Sequence, residues 1–276
     1  MTSGYTETEL EVLRKRGCNV AALSQPQSTS SSRNIGARAS SGDHLLFLDD
    51  DNTVAPHTVL KLSESLEAWP DAVMVGPLMY FGGEPDRLWC GGVSRSRLLM
   101  KTTFRQALPE PTPKRLTSED FPNCFMVRRT DFESVGGFDA SRFPQQWEEG
   151  DLARRLVKAT GGRAYVVTAA LVWHHINSDL VIRLHLRNRE RAFLVARGRA
   201  MFTAVHGDRL QWLTYLAIAQ WMFGAFYLGA ALWLPRKQRR GVFSGYVGGM
   251  LAGLSEGWIA RGEKQLDARE SIAPTP

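Results

Sequence analysis

Three consecutive carboxylates, Asp49, Asp50 and Asp51, stand at the end of the apolar run Leu45-Leu46-Phe47-Leu48. A buried strand that opens straight into dense negative charge needs a positive partner, and a divalent cation takes hard oxygen ligands of this kind. Side chains alternate along a strand, so with extended geometry continued Asp49 and Asp51 face one side and converge on one ion. An acidic turn with an Asp capping the next helix is the competing reading. A second acidic group, Glu148-Glu149-Gly150-Asp151, opens a helical stretch. Carboxylates there offset the helix dipole, which is reason enough for their presence without any chemistry. Arg33 offers a guanidinium fork that matches phosphate oxygens, or else lies on a helix surface. His174 and His175 follow Trp173, where a packed histidine competes with a ligating one.

The elements that must position these groups alternate between helix and strand. Thr8 to Arg16 reads as a helix stopped by Gly17, and Asn19 to Leu23 as a short strand. Ser32 to Ala39 reads as a helix leading into the acidic strand. Pro56 to Trp69 carries helical periodicity, with Val59, Leu62, Leu66 and Trp69 on one face. Strands are expected at Ala72 to Pro77, Asn123 to Val127, Ala164 to Val167 and Leu171 to Trp173. Short helices are expected at Thr130 to Val135 and Asp151 to Thr160, the second stopped by Gly161-Gly162. Pro109 to Pro113 is a loop. Such alternation predicts an α/β layer architecture, whose sites lie at the carboxyl ends of strands.

The texture changes beyond residue 180. Arg183 to Val205 is a basic amphipathic stretch, and Leu213 to Leu234 holds no charged residue, a length that suits a membrane-spanning helix. Trp212 and Trp233 sit near its ends as interfacial aromatics do. Val242 to Trp258 is a second, Gly-rich apolar segment, and a hairpin of the two would put both basic flanks on one side. The net charge of +6 gathers at Arg183 to Arg199 and at Arg236 to Arg240. Basic clusters beside apolar runs suit anionic lipid, and nucleic acid is not expected as a partner. Cys18, Cys90 and Cys124 share no metal spacing and read as reduced thiols. Met1 to Arg16 is polar, unlike a secretory signal.

Three of these pieces, in this order, resemble the family 2 glycosyltransferases, which have the GT-A fold. Arg33-Asn34-Ile35-Gly36-Ala37, followed by Gly42 to Asp51, is similar to the family's arginine-asparagine helix running into its Asp-x-Asp metal strand. Asn123 to Asp139 resembles the acceptor-side segment ending in Gly-Gly-Phe-Asp. Glu148-Glu149-Gly150-Asp151-Leu152 resembles the Glu-Asp-x-Asp-Leu pattern that carries the catalytic base. His174 follows where members often place a metal- or phosphate-contacting histidine. Arg187-Asn188-Arg189 before an apolar segment is similar to membrane-associated, rhamnosyltransferase-like members. The likeness covers about residues 10 to 200.

The resemblance implies a Rossmann-like, mostly parallel sheet flanked by helices, with apolar helices at the C-terminal end. It implies a metal-dependent transferase that moves a sugar, with inversion, from a nucleotide-sugar donor to a hydroxyl of a cell-surface or lipid-linked glycan. In that reading Asp49, Asp51 and His174 hold Mg²⁺ or Mn²⁺, and Arg33, Asp49 and Asp50 meet the donor. Glu149 is the base, with Glu148 and Asp151 as competitors, and the protein works against membrane lipid on the cytoplasmic face. The expected division is a catalytic domain over 1–180, a basic connector over 181–209, membrane-associated helices over 210–260 and a polar tail over 261–276. Glu149 stands where the family usually has Asp. Thr2-Ser3-Gly4 resembles the tail of the family's nucleotide-binding loop, whose preceding strand and base-reading Asp do not appear here. A truncated non-catalytic relative, or a subunit that needs a partner to complete its sheet, is the alternative expectation. A metal-dependent nucleotidyltransferase shares the acidic triplet but leaves Glu148-Glu149-Gly150-Asp151 and the apolar tail unexplained.

Overall fold

The computed structural model describes residues 6–21, 23, 25–176, 186 and 188–270, the side chains of 264–270 excepted. Thr2-Ser3-Gly4, Arg183 and Arg187 lie outside the described residues. The chain divides into one compact unit of residues 1–93 and 104–175 and a second of 94–103 and 176–276.

The first unit begins with α1 (Glu7–Lys15) and α2 (Thr29–Ala39). Thr6 and Glu9 close a reciprocal capping box on α1, and the Ser28 hydroxyl caps α2 through the Ser31 N–H. Between them Asn19 to Ala21 and Leu23 are irregular, where a strand was expected. No described strand pairs with them, and an apolar run alone does not hold extended structure without a ladder partner. The strands are β1 (His44–Leu48), β2 (Asn52–Val54), β3 (Ala72–Phe81), β4 (Glu84–Cys90), β5 (Val93–Arg95), β6 (Thr102–Phe104), β7 (Arg115–Ser118), β8 (Cys124–Arg128) and β9 (Arg163–His174). Helices α3 (Thr58–Ala68), α4 (Arg129–Ser134) and α5 (Glu148–Thr160) lie between them.

Among the described residues, the main sheet runs β1-β8-β3-β9-β2, with β4 added to β3 and β7 to β9. The α/β class holds, yet the sheet is mixed instead of mostly parallel. Only β3 and β9 pair in parallel; the other described ladders are antiparallel. A parallel neighbour needs a long crossover, whereas β3 reaches β4 through a two-residue turn at Gly82-Gly83. Because β8 is antiparallel to both β1 and β3, the strands β1, β3 and β9 all run the same way. Their carboxyl ends therefore share one rim, and Asp49 and His174 are there.

Leu62 and Leu66 of α3 are fully buried against Val75, Met126, Tyr165 and Val167 of the sheet. Val59, expected on the same face, is 48% exposed, because the buried line of α3 runs through Thr58, Leu62 and Leu66 at four-residue spacing and Val59 lies to one side of it. Phe47, Phe125, Phe132 and Phe138 form an aromatic cluster with centroid separations of 5.1–6.3 Å. That cluster fastens the acidic strand to the Gly136-Gly137-Phe138-Asp139 turn. Cys90 and Cys124 are buried and Cys18 exposed, all free, and burial pushes the two buried thiols up to about 12. They are structural and inert.

The second unit holds α6 (Arg189–His206), α7 (Arg209–Thr214), a π-helical turn (Tyr215–Ala219), α8 (Gln220–Ala231) and α9 (Arg236–Glu270). Residues 209–231 make one helix long and apolar enough to cross a membrane, with a third of its apolar window buried. The Gln220 amide at its centre donates to the Leu216 carbonyl at 2.7 Å, just past the π turn. Helix α9 continues through residues read as polar tail. It packs on α6 through glycines spaced four apart. Gly245 and Gly249 leave no room for a Cβ against the backbone of Arg189 and Phe193, and at Gly253 a Cβ would stand 2.6 Å from the Arg197 carbonyl. Both residue series rise together, so α6 and α9 run parallel, and residues 209–231 supply the return pass.

Candidate functional site

The acidic triplet does not continue as a strand. Asp49 leaves β1 and residues 50–51 turn, held by Asn52, whose amide donates to the Asp49 carbonyl at 3.1 Å and to Asp51 Oδ1 at 3.2 Å. The alternation that was to aim Asp49 and Asp51 at one point is thus broken. Asp49 Oδ1 accepts from Arg33 Nη2 at 2.8 Å, while Asp51 Oδ2 faces His174 Nε2 at 3.0 Å. Asp50 lies exposed in the turn between them.

Arg33 links two acidic groups remote in sequence. Its Nη2 holds Asp49, and its Nη1 donates to Glu149 Oε1 at 2.9 Å, with Glu148 Oε1 at 3.5 Å. The Arg33 side chain is only 10% exposed and its guanidinium lies 5.5 Å from the Phe138 ring centroid. One guanidinium therefore spans the two acidic walls, and Asp49 and Glu149 are separated by no more than its width. Burial beside Glu149 pushes the Glu148 carboxyl up to about 8. Burial also raises Glu149, with Arg33 opposing the rise. Arg33 lies nearer to Glu149 than to Glu148 and so stabilises charge on Glu149 the more strongly. Glu148 Oε2 is buried and has no hydrogen-bond partner.

Asp151 sits differently. It accepts from Arg155 Nε at 2.9 Å and Nη2 at 2.6 Å, while Arg155 Nη1 donates to the carbonyls of Val135 and Gly137. Its carboxylate is committed to fixing the turn, which sets it apart from Glu148 and Glu149. The same turn is gripped from α2. Asn34 donates to the Phe138 carbonyl at 2.8 Å and accepts from the Phe138 N–H at 2.9 Å. Gly137 has φ +70°, and a Cβ there would stand 2.7 Å from Asn34 Oδ1. Gln146 and Trp147 also adopt left-handed backbone, at φ 67° and 71°. Two successive non-glycine residues in that region are unusual, and they set the angle at which α5 delivers Glu148 and Glu149.

His174 ends β9 with its ring 4.4 Å from the Trp89 centroid. Burial holds its basicity down, Asp51 only partly offsetting this, so the ring is neutral and its Nδ1 is buried without a partner. Neighbouring His175 instead meets Thr53 Oγ1 at 2.7 Å. A neutral imidazole beside a half-exposed carboxylate is the donor set a divalent cation accepts. Asp51 and His174 thus fit such an ion, while Asp49 is engaged by Arg33. Among the described residues no three acidic, histidine or cysteine side chains already converge as a metal group. An open groove of about 720 Å³ runs beside β1, lined by Gln27, Ser32, Arg33, Asp49, Asp51 and Gln145 among others.

Sequence reasoning did not find Asn52, Trp89 or Gln145. Asn52 adjoined the triplet and was a legible turn residue. Trp89 carries no local signal, because its partner lies far along the chain.

Residues 3–136 match the sequence family described as Glycosyl transferase family 2. The N-acetylglucosaminyl-diphospho-decaprenol L-rhamnosyltransferases of two Mycobacterium tuberculosis strains are each 29% identical over 153 residues. That alignment covers 49% of this chain and 48% of each relative, so the chain matches about half the length of these curated relatives. Among solved structures, the mannosyltransferase PcManGT from Pyrobaculum calidifontis, in complex with GDP-Man and Mn²⁺, superposes with TM-score 0.51 at 15% identity. It covers 96% of this chain and 76% of that one. GalNAc-T7 with UDP, GalNAc and Mn²⁺ gives TM-score 0.51 at 15% identity over 80% of this chain and 48% of that one. At such identity these two speak for the fold. The family match over residues 3–136, the rhamnosyltransferase relatives and the GT-A neighbours all point one way: the chain is similar to the family 2 glycosyltransferases, rhamnosyltransferase-like members among them, and has the GT-A fold.

Proposed function

We propose that the protein transfers a sugar, with inversion, from a nucleotide-sugar donor to a hydroxyl of a lipid-linked or cell-surface glycan at the cytoplasmic face of a membrane. The observation that carries this reading is the Arg33 bridge, which brings Asp49 and Glu149 to one guanidinium. The lipid-linked acceptor is supported by the relatives' printed activity.

Glu149 is the proton acceptor in this mechanism. As the acceptor oxygen bonds to the anomeric carbon from one face, its proton passes to a Glu149 carboxylate oxygen. The bond from that carbon to the diphosphate oxygen breaks on the other face. Arg33, donating to Glu149 at 2.9 Å, favours the charged form that a proton acceptor needs, against the burial that opposes it. Arg33 is close enough to Asp49 to meet a diphosphate entering the groove, with Asp50 at its rim. Mg²⁺ or Mn²⁺ held by Asp51 and His174 would supply positive charge to the departing diphosphate.

The test is transfer from a panel of nucleotide sugars, nucleotide-linked L-rhamnose included, to a polyprenyl-diphosphate-linked N-acetylglucosamine. Glu149→Gln should lower the rate on the order of 10²–10⁴-fold with unchanged melting. Full activity in that variant refutes the base assignment. A second reading, a subunit that takes a further strand from a partner, is favoured by one observation: among the described residues β1 pairs with β8 alone, and a groove runs beside it. Donor-nucleotide affinity separates the two, since a chain awaiting its partner binds none.

A further inference from the structure

Two basic clusters far apart in sequence meet in the second unit. The parallel packing of α6 and α9 brings Arg189 beside Gly241, with Cβ positions 3.7 Å apart. The start of α9 therefore lies next to the start of α6, and the end of α8 joins it through residues 232–235. Arg189, Arg191, Arg236, Lys237, Arg239 and Arg240 gather at this one end of the bundle, with Glu190 the acidic residue among them. Arg239 is in part structural, donating to the Leu234 carbonyl at 3.2 Å, while Arg189, Arg236, Lys237 and Arg240 are exposed.

This placement opposes what the helices themselves favour. Both α6 and α9 present N-terminal ends here, where the backbone dipole attracts anions and repels cations. The first turn of α9 holds no acidic residue. The cations also repel one another, and the carbonyls just past the end of α8 engage Arg239, which leaves the exposed Arg189, Arg236, Lys237 and Arg240 as the excess charge at this end. At the same end Trp233 is 89% exposed and Leu232 54% exposed. From there an uncovered apolar stripe follows the helices through Phe226, Trp221 and Leu251.

We propose that this end of the bundle docks on the anionic headgroups of a lipid bilayer, with Trp233 and Leu232 entering the interface and the basic residues meeting lipid phosphates. The inference rests on the membrane reading and adds to it which surface makes the contact and which lipid class it selects. Charge complementarity and the adjacent exposed Trp single out an anionic bilayer over other polyanions.

The experiment is flotation of the full chain with vesicles of phosphatidylcholine alone and of phosphatidylcholine mixed with phosphatidylglycerol, at low and high salt. Binding should be tighter to the anionic vesicles, and the preference should shrink with salt. Replacing three exposed cations, R236Q/K237Q/R240Q, should weaken anionic binding on the order of 100-fold and leave neutral binding and helicity unchanged. Trp233→Ser should weaken binding to both vesicle types. Equal binding of the native chain to both vesicles, or an undiminished preference in the triple variant, overturns the headgroup inference while the membrane reading stands. Binding to neither vesicle overturns both. Tighter binding to an oligonucleotide than to the anionic vesicles overturns it in favour of nucleic acid.

Discussion

Arg33 shows what a sequence reading reaches at the level of one side chain. Its type and place on a helix before the acidic strand were legible, and a phosphate partner was the natural expectation. Its carboxylate partners lie 16 and 116 residues away, a distance no local pattern encodes. Glu148 carries the sharpest pH test. Its folded value of about 8 stands above the usual 4.5, so the native state keeps a proton the unfolded chain releases. Stability should then fall as pH rises from the ordinary carboxylate range and level off above the folded value. Glu148→Gln should flatten that slope in urea unfolding at pH 5, 7 and 9; an unchanged slope would place the proton elsewhere. Asn34 was quoted in a motif without a task, and the structure gives it one at Phe138. Asn34→Ala should destabilise by about 1–3 kcal/mol, read as a shift in denaturation midpoint, and should impair transfer by loosening Arg33. The left-handed Gln146 and Trp147 were not legible, since neither is a residue type that signals such a turn.

Helices and strands were read well where burial is one-sided and the segment long. Helix α2, strand β1 and helix α5 fall within a few residues of expectation because caps, glycines and apolar runs mark them. Strand β4 was missed because Glu84-Pro85-Asp86-Arg87 is polar and exposed, leaving no alternation to detect. Strand β9 was read as two because its register shifts against β3 between Pro77 and Leu78. In the helical unit the Gly-rich pattern was visible, and the structure supplies its partner, the backbone of α6. Gly249→Val should destabilise the unit by about 1–3 kcal/mol through overpacking, seen as a lowered helical melting temperature in detergent. A contact repeating every four residues fixes direction better than it fixes offset, since a slide by one step meets similar chemistry. The Arg197–Glu256 ion pair and the Arg261 contacts to the Ala204 and Gly207 carbonyls break that degeneracy.

Taken as a whole chain, composition and the apolar run at 213–234 pointed to a catalytic unit with a lipid-seeking appendage, and the uncovered stripe is consistent with it. Trp221 and Phe226 are 61% and 58% exposed, so they hold little of the fold together. Replacing both with Ser should leave helicity intact and shift the protein towards the aqueous phase in detergent partitioning. Unchanged partitioning would mean the stripe meets something other than lipid. What remained illegible at this scale was the direction of each helix, because periodicity reports a face and never an arrow. The parallel sense of α6 and α9 has a topological outcome. Residues 209–231 and α9 run antiparallel, with Tyr227 against Tyr246 and Trp212 beside Gly257, so the two apolar segments do make a hairpin, and α6 lies alongside it as a third pass of the bundle. With 35 residues rising about 1.5 Å each, α9 carries the backbone roughly 50 Å, so labels attached at its first and last residues report from opposite poles.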